Sequence, residues 1–348
     1  NSLTCATMTK RVLHLVKWYP NPIDPQNGIF IQKQIESVGK DAHVLGFINA
    51  NFSRQVDGNT TLFGNQHISL RKKIRIFSAK VEELKPSIIH FHCYGRDFWL
   101  LLRIALFKGI RCIHSEHWSG LLSINHSRLN ALNRCFIVNY FNKVDLILPV
   151  SKILEEGIKK LATKANTKVI PNIVSEASSS NQKIVSAISF CVVGDIVFSV
   201  KRQDLILKAF LNLPSSCELH FYGGGPDLRA LKVLCKEKKN VFLHGRVTNK
   251  EVLQLLPNHH AHIQFSAFET FGIATLEARK AGIWAISRAS FGSSDYADSS
   301  VFMAENLNEL TNSMTELMTL DKTSVNNFPA LKKTKIGREI ELCYNEFN

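Results

Sequence analysis

The sequence contains no uninterrupted apolar run long enough to cross a bilayer. The best candidate, Phe98 to Phe107, is short and broken by Arg103, whereas a membrane helix needs about 20 apolar residues. Residues 1–9 also lack the charged start and the apolar stretch of a secretory signal. We therefore expect a soluble, cytoplasmic protein.

Paired cysteines and several catalytic signatures are also missing. The eight cysteines are scattered, with no Cys-x-x-Cys pair, which favours reduced core thiols over disulfides or a zinc site. There is no Gly-x-x-x-x-Gly-Lys-Ser/Thr phosphate loop, no Gly-x-Ser-x-Gly elbow and no His-Glu-x-x-His helix. These absences argue against P-loop nucleotide hydrolysis, serine hydrolase chemistry and zinc proteolysis.

Basic residues exceed acidic ones by a wide margin. A formal charge of +14 and a pI near 9.4 predict a polyanionic partner, which leaves nucleic acid, an anionic membrane surface and a phosphorylated substrate open. The chain shows no interleaved aromatic and basic strand face typical of RNA-recognition motifs. The densest basic run, Arg71-Lys72-Lys73-Ile74-Arg75, fits a helix lying on anionic lipid, or else a solvated helix face.

A length of 348 residues predicts two domains, because single cores stop growing at about 250 to 300 residues. Short β-rich runs alternate with amphipathic segments in both halves, a pattern typical of parallel sheets with crossover helices. We place an N-terminal domain at 8–176, a polar linker at 175–182, a second domain at 183–322 and a helical tail at 329–348. The tail could pack back across the first domain. The predicted strands are 12–16, 43–48, 88–92, 112–115 and 146–150, then 190–193, 219–222, 241–244, 262–265 and 284–287.

The most informative stretch runs from Ser266 to Gly282. A strand ends in a polar turn, and a helix is predicted to begin near Gly272, where free backbone N–H groups favour an anion. Glu269 precedes this helix and Glu277 lies in its second turn. Carboxylates are good acceptors for sugar hydroxyls, and the apolar neighbours of this pair argue against a fully solvated role.

This stretch resembles the E-x7-E signature of the retaining glycosyltransferases of family 4. The resemblance implies an α/β fold of the GT-B type, with two Rossmann-like doubly wound domains facing across a cleft. It also implies that Glu269 contacts the transferred sugar and that Glu277 binds the nucleotide ribose. The backbone of Phe271, Gly272 and Ile273 resembles the family's diphosphate and sugar cradle.

Further matches follow in the family's order, from about residue 10 to 320. Gly28, in Pro25-Gln26-Asn27-Gly28, resembles the glycine loop near the phosphates, although Asn27 stands where the family often has a second glycine. His117, in Ser115-Glu116-His117-Trp118-Ser119, resembles the histidine that reaches the donor sugar. A structural role is the alternative for any lone histidine.

Three more residues match the donor side of the family. Lys201 resembles the lysine that holds the diphosphate, while Asp195 stands where the family has arginine, a departure for which Arg202 could compensate. Gly245 ends a strand near the family's nucleobase contacts. The chain has no Asp-x-Asp triplet of the kind that holds a metal in the other large glycosyltransferase fold, so no metal and no cofactor are expected.

The sequence therefore predicts a retaining, metal-independent glycosyltransferase that uses a UDP- or GDP-linked sugar. The expected acceptor is a glycan or a lipid-linked glycan in cell-surface polysaccharide biosynthesis, reached in the cytoplasm or peripherally at the inner face of the membrane. Glu269, His117 and Lys201 are the expected catalytic residues. A nucleotide-sugar epimerase, a phosphorylase or a basic nucleic-acid-binding protein are the alternatives, since a fold alone does not fix an activity.

Overall fold

A computed structural model describes residues 11–39, 42–64, 68–175, 187–325, 328 and 331–347. The chain forms two compact units: unit 1 comprises 1–150, 154–173 and 333–348, and unit 2 comprises 151–153 and 174–332. Most of the predicted linker, residues 176–182, lies outside the described residues. Within those residues, no helix is both long and apolar enough to span a membrane.

Unit 1 is built on a seven-stranded sheet with the order β3-β4-β2-β1-β5-β6-β7. All its strands pair in parallel except β3, which is antiparallel to β4. The strands are β1 (Val12–Val16), β2 (His43–Ile48), β3 (Arg54–Asp57), β4 (Thr60–Gly64), β5 (Ile88–His92), β6 (Arg111–Glu116) and β7 (Leu146–Pro149). The helices are α1 (Ile29–Ser37), α2 (Leu70–Leu84), α3 (Phe98–Phe107), α4 (Ala131–Phe141), α5 (Lys152–Leu161) and, from the C-terminus, α12 (Lys333–Asn345).

Unit 2 contains a six-stranded, fully parallel sheet with the order β10-β9-β8-β11-β12-β13. The strands are β8 (Ser189–Val193), β9 (Glu218–Tyr222), β10 (Val241–Gly245), β11 (Ala261–Ile263), β12 (Trp284–Ser287) and β13 (Val301–Met303). The helices are α6 (Phe198–Lys201), α7 (Gln203–Phe210), α8 (Leu228–Cys235), α9 (Asn249–Leu255), α10 (Ile273–Lys280) and α11 (Leu307–Leu317). Both sheets have the alternating strand and helix order of a Rossmann-like domain.

The predicted fold class of two Rossmann-like units is confirmed. All ten predicted strands are present within two residues of their expected bounds. Three short strands escaped prediction, namely β3, β4 and β13. The β3–β4 hairpin turns at Gly58-Asn59, a dipeptide that favours two-residue hairpin loops, so the sequence did carry a signal for it.

The C-terminal helix α12 belongs to unit 1. Ile336, Ile340 and Cys343 are buried in one apolar cluster with the β-strand residues Ile88 and Leu148. Gly337 lets α12 approach α1 closely, because a Cβ there would lie 2.2 Å from the Ser37 carbonyl oxygen. Packing of an apolar stripe, rather than helix propensity, therefore holds the last helix in place.

The basic run on α2 does not form one exposed face. Lys73 is buried and donates to Asp97 at 2.7 Å, while Phe77 and Val81 continue the same stripe into the core. The prediction that Lys73 belongs to a lipid-facing surface is therefore wrong. Its position at i−4 from Phe77 places it on the inward side of the helix.

A row of buried histidines lies in the core of unit 1. His14 on β1 and His90 on β5 are register partners, and His92 lies two residues further on the same face. His14 Nδ1 and His92 Nε2 are 3.0 Å apart, and His90 bonds to the Tyr344 hydroxyl at 2.7 Å and to Ser115 Oγ at 2.9 Å. Burial lowers the pKa of His14 to about 3 and the pKa of His90 and His92 well below their usual value.

We expect the folded protein to lose stability as the pH falls below about 6.5. Unfolding gives these histidines their ordinary pKa near 6.5, so only the unfolded chain binds protons in this range, at a cost of roughly 1.4 kcal/mol per histidine per pH unit. Burial also lowers the pKa of His259 and His262 in unit 2 to about 3, which adds to the effect. Melting temperatures measured from pH 8 to 5 should fall steeply below 6.5 and stay level above 7.5. A melting temperature unchanged between pH 7 and 5 would contradict this account.

Candidate active site

The first group of predicted residues lies where the strand order of unit 2 reverses. The strands on one side of β8 are β9 and β10, and those on the other side are β11, β12 and β13, so the strand order reverses between β8 and β11. In such sheets ligands bind outside the carboxyl ends of the strands at this switch point. The segment after β8 carries Lys201, and the loop after β11 carries Glu269. Parallel pairing places both segments at the same sheet edge.

Glu269 is the centre of this group. Lys201 Nζ and Gln264 Nε2 each donate to Glu269 Oε2 at 2.7 Å, and the Thr270 backbone N–H donates to Oε1 at 3.0 Å. Gln264 Oε1 in turn accepts from the hydroxyl of Thr275 on α10. The carboxylate is therefore fixed from three directions before any substrate enters.

The electrostatic surroundings keep Glu269 ionised. Burial by itself would raise the pKa of this carboxyl, but the charge and hydrogen bond of Lys201, with backbone N–H groups of Phe271 and Thr270, lower it below the usual value. The Glu269 side chain retains 17% exposure and that of Lys201 retains 30%. The ion pair is thus partly accessible, and a ligand can compete for either partner.

Helix α10 begins directly beside this ion pair. Gly272 is its N-cap with φ of +79°, and a Cβ there would come within 3.2 Å of Ser293 and Gln264. Phe271 is buried against Tyr296, with ring centroids 5.8 Å apart, and Ile273 opens the helix. The arrangement presents the start of α10 with no side chain at its cap, which leaves backbone N–H groups available to an anion.

Glu277 lies one turn further along α10 and is almost fully buried. Asn249 Nδ2 lies 3.1 Å from Glu277 Oε1 and 3.3 Å from Oε2. Asn249 starts α9, four residues after Gly245, so the amide ties the carboxylate to the loop that follows β10. The structure thereby brings Gly245 and Glu277 into one region of unit 2.

Two cations flank the loops at this edge. Arg202 has φ of +54°, an uncommon value for a residue with a side chain, and its guanidinium lies 5.8 Å from the Phe265 ring centre. Arg246 Nη2 donates to Asp195 Oδ1 at 3.3 Å, and both side chains are more than half exposed. The Arg246 guanidinium therefore lies beside position 195, where the family has an arginine. It comes from the loop after β10 and not from residue 195 itself.

Gly28 and His117 belong to unit 1. Gly28 caps α1 with φ of +64°, and a Cβ would lie 2.5 Å from the carbonyl carbon of Trp18. Two residues later, the Phe30 ring packs on the His117 imidazole with centroids 4.8 Å apart. The glycine thus permits a close approach of two backbone segments, and the helix it starts covers His117.

His117 follows β6 in a tight polar turn. Glu116 is fully buried and accepts from His114 Nε2 and from the backbone N–H groups of Tyr94, His117 and Trp118. Burial lowers the pKa of His117 to about 3, and among the described residues neither ring nitrogen has a hydrogen-bond partner. The imidazole is therefore neutral at neutral pH, and both of its ring nitrogens are buried.

One set of described side chains has the spacing of a metal site. His14, His90 and His92 can place one nitrogen each within 4.8 Å of the others. However, the His90 and His92 rings are stacked, with centroids 4.2 Å apart and an angle of 26° between planes. Ring nitrogens direct their lone pairs in the ring plane, so stacked rings do not converge on one ion.

Three contributing side chains were not among the predicted site residues. Gln264 and Asn249 hold the two glutamates through their amides, and the Arg246 side chain reaches Asp195. Gln264 directly follows β11, and ligands of parallel sheets bind at the carboxyl ends of the strands. This position was the signal in the sequence that could have identified Gln264 as a site residue. The Asn249 and Arg246 contacts join segments distant in sequence, which no local pattern reveals.

The comparisons with solved structures agree with this architecture. Sucrose-phosphate synthase from Thermosynechococcus elongatus aligns with a TM-score of 0.78 at 13% identity, covering 97% of this chain and 99% of its own. Anabaena HepE in complex with UDP and glucose gives 0.77 at 15% identity, covering 97% and 100%. The lipopolysaccharide outer core galactosyltransferase WaaB gives 0.66 at 17% identity, covering 95% and 94%. The fold is that of the GT-B glycosyltransferases.

Family comparisons identify the chain more closely. The family described as Glycosyltransferase Family 4 matches residues 51–177, and the family described as Glycosyl transferases group 1 matches residues 175–327. No curated protein matches the chain. The two matches run through both units, and the chain belongs to the family 4 type of GT-B glycosyltransferases.

We expect Gly28→Ala to destabilise unit 1 more than Gly58→Ala does. Both glycines have positive φ, so alanine costs roughly 1 kcal/mol at either position. Only at Gly28 does the new Cβ meet backbone atoms of Trp18, whereas Gly58 has nothing within 4 Å. We expect a total loss of about 2 to 4 kcal/mol for Gly28→Ala, because overpacking adds about 1 to 3 kcal/mol. Urea unfolding followed by tryptophan fluorescence measures both, and equal losses would disprove the close approach.

Proposed function

We propose that this glycosyltransferase moves a sugar from a nucleotide diphosphate to an acceptor hydroxyl and retains the anomeric configuration. The observation that carries the proposal is the fixed Glu269 carboxylate beside Lys201 at the start of α10. This arrangement offers an acceptor for sugar hydroxyls and a cation for a leaving phosphate within one small region. Neither task requires the protein to reorganise during the reaction.

The proposed step begins with the donor diphosphate at the start of α10. Lys201, held beside Glu269, donates to the phosphate as negative charge grows on the leaving group, and so do the backbone N–H groups of Gly272 and Ile273. Glu269 then accepts hydrogen bonds from the transferred sugar. The C–O bond to the phosphate breaks as the acceptor oxygen attacks from the same face, and the leaving phosphate takes the acceptor's proton.

The nucleotide is proposed to lie along the loop after β10. Glu277 is the acceptor for the ribose hydroxyls, oriented by Asn249, and the backbone at Gly245 contacts the base. Arg202 and Arg246 supply further positive charge near the diphosphate. The solved HepE structures contain UDP and UDP-glucose, which supports a uridine nucleotide as the first donor to test.

The acceptor is proposed to bind unit 1, in which the family resemblance gives His117 a contact with the donor sugar and Gly28 a contact with the phosphates. A neutral imidazole donates to a hydroxyl without competing for a phosphate, which suits contact with a sugar. The galactosyltransferase WaaB acts on a lipopolysaccharide outer core, which supports a glycan or lipid-linked glycan acceptor. Polysaccharide biosynthesis at the cytoplasmic face, metal independence and freedom from other cofactors are parts of the same proposal.

A panel of UDP- and GDP-sugars tests the donor assignment by thermal shift, because a ligand that binds the folded state raises the melting temperature. Nucleotide release and product analysis with glycan acceptors then test transfer, with and without EDTA. An epimerised sugar nucleotide with no transfer product would instead identify an epimerase. Loss of turnover in EDTA, restored by Mn²⁺, would overturn metal independence.

Glu269→Gln is expected to lower kcat by about 100-fold or more while leaving the fold intact. The amide keeps the size of the side chain but removes the charge that balances Lys201 and accepts the sugar hydroxyls. Nucleotide release under saturating donor measures the effect. The matched control is Glu316→Gln on the exposed side of α11, which removes the same charge away from the site. Near-normal kcat in Glu269→Gln would refute the assignment.

Glu277→Gln is expected to weaken nucleotide binding by about 10- to 100-fold. Hydrogen bonds from ribose to a charged acceptor contribute about 1.5 to 3 kcal/mol, and an amide is a poorer acceptor. Calorimetry with UDP alone isolates this effect from the sugar and the acceptor. At saturating donor, kcat should change much less than Kd. An unchanged Kd for UDP with an unchanged melting temperature would remove Glu277 from the ribose site.

A further inference from the structure

The sheet of unit 1 also reverses its strand order, between β1 and β5. The strands β2, β4 and β3 follow on the side of β1, and β6 and β7 follow on the side of β5. Ligands of doubly wound sheets bind outside the carboxyl ends of the strands at such a point. Lys17 directly follows β1 and Cys93 directly follows β5, so the segments that they begin lie where a ligand of unit 1 is expected.

Two lysines share one carboxylate at this point. Lys17 Nζ lies 2.9 Å from Asp97 Oδ1 and 3.1 Å from Oδ2, and Lys73 Nζ on α2 lies 2.7 Å from Oδ2. Burial by itself raises the pKa of the Asp97 carboxyl, but the charges and hydrogen bonds of both lysines lower it below its usual value. The three charged groups together therefore carry one net positive charge.

No second carboxylate balances this charge within the described part of the chain. Asp97 is the one carboxylate there that lies within ion-pair distance of either lysine. Glu116, the buried carboxylate at the end of β6, is occupied by His114 and by backbone N–H groups. In unit 2, by contrast, Lys201 and Glu269 match one cation with one carboxylate. A structural ion pair in unit 1 needs only one of the two lysines, because an unbalanced charge is costly to bury.

Lys17 is the lysine that a ligand can reach. Its side chain is 18% exposed, whereas that of Lys73 is 8% exposed. The Lys17 ammonium group has three hydrogen atoms to donate, and the two oxygens of Asp97 account for two of them. The third remains for an acceptor atom that approaches from the carboxyl edge of the sheet.

The backbone after β5 is shaped around this ion cluster. Cys93 takes φ of +61°, which is uncommon for a residue with a side chain and persists only where the surrounding structure fixes it. Two residues later, a Cβ at Gly95 would lie 2.9 Å from both Asp97 Oδ1 and Lys17 Cε. The absence of a side chain at Gly95 therefore lets the connection pass directly beside the lysine and its carboxylate.

Ring contacts connect Lys17 to the residue that the family resemblance assigns to the donor sugar. Trp18 follows Lys17, and its half-buried indole lies 6.3 Å from the Phe30 ring, measured between centroids. The same Phe30 ring packs on His117. One ring thus separates the residue next to Lys17 from His117, so a group bound at Lys17 belongs to the same edge of unit 1 as the transferred sugar.

We propose that Lys17 binds an anionic group, a phosphate or a carboxylate, carried by the acceptor. The inference deepens the proposed function and rests on it, because it names the acceptor as an acidic glycan or a glycan attached to phosphate. A bound anion neutralises the positive charge that Asp97 leaves over, and hydrogen bonds between charged groups are the strong ones. Asp97 and Lys73 hold the Lys17 ammonium in place and act as positioning residues.

Titration of the full chain with inorganic phosphate, and separately with glucuronate, tests the binding step. Saturating UDP keeps the donor region of unit 2 occupied, and chloride keeps the ionic strength constant. Tryptophan fluorescence reports binding because Trp18 adjoins Lys17. Lys17→Gln removes the surplus charge and leaves Asp97 paired with Lys73, whereas Lys17→Arg keeps the charge.

The matched control for Lys17→Gln is Lys80→Gln on α2. Lys80 is 20% exposed, close to the value for Lys17, and it pairs with Glu83 at 2.8 Å. Both changes therefore remove one ion-paired lysine of similar exposure from unit 1. Melting temperatures of all variants verify that they fold.

We expect the native chain to bind at least one of the two anions more tightly than chloride. Lys17→Gln should weaken that binding by about 10-fold or more, since a charged hydrogen bond is lost. Lys80→Gln should change it by less than about two-fold, and Lys17→Arg should restore most of it. Equal losses in Lys17→Gln and Lys80→Gln, or no binding of either anion by the native chain, would overturn the proposal.

Transfer assays then identify the source of the anion. Each acidic acceptor is paired with its neutral form, a glucuronide with the glucoside and a phosphorylated glycan with its dephosphorylated product. The acidic member of one pair should have the lower KM at similar kcat, and Lys17→Gln should remove this preference while the Kd for UDP stays unchanged. Equal use of both members of every pair would refute the anion site and leave the proposed function standing. Binding of phosphate that depends on Lys17, in a chain that binds no nucleotide sugar, would support the anion site and refute the proposed function.

Discussion

Parallel strand pairing is the constraint from which the rest of this molecule follows. In a parallel sheet every strand ends at the same edge, so the connections that leave those ends are neighbours in space regardless of their separation in sequence. That is why Lys201 meets Glu269 across 68 positions, and why Lys17, after β1, meets Asp97, after β5. Each unit thus brings charged side chains from distant segments together at this edge, while apolar residues fill the faces covered by helices.

The cost of this arrangement is visible in the backbone and in the buried polar groups. Cys93 and Arg202 take positive φ values in the connections that follow β5 and β8, where a residue with a Cβ is uncommon. The described residues also bury neutral histidines and the Glu116 carboxylate, each held by hydrogen bonds or ring contacts. Strain and buried polar groups persist because the surrounding packing fixes them.

The sequence predicted the architecture well because each β-strand leaves a local signature of apolar, β-branched residues between turns. The glutamates, Lys201 and Gly28 were singled out as candidates because they lie in short segments that resemble a known family. Lys73 was misplaced because charge was counted without the phase of the helix, which directs it to Asp97 in the core. Asn249 and Gln264 escaped because an amide has no distinctive pattern, and their partners are determined by tertiary structure. The missed strand β13 has three residues, too few for a periodic signal.

The return of α12 to unit 1 has a consequence for biosynthesis. Unit 2 is encoded between the strands of unit 1 and the helix that completes their core, so a ribosome delivers Ile336 and Tyr344 only after unit 2. Until then His90 lacks its hydroxyl partner, and the strand face around Ile88 is open to water. Unit 2, whose elements are nearly contiguous, can fold first during translation. Until α12 is synthesised, unit 1 therefore exposes the apolar sheet face that α12 covers in the folded protein. Exposed apolar surface of this kind is what chaperones bind.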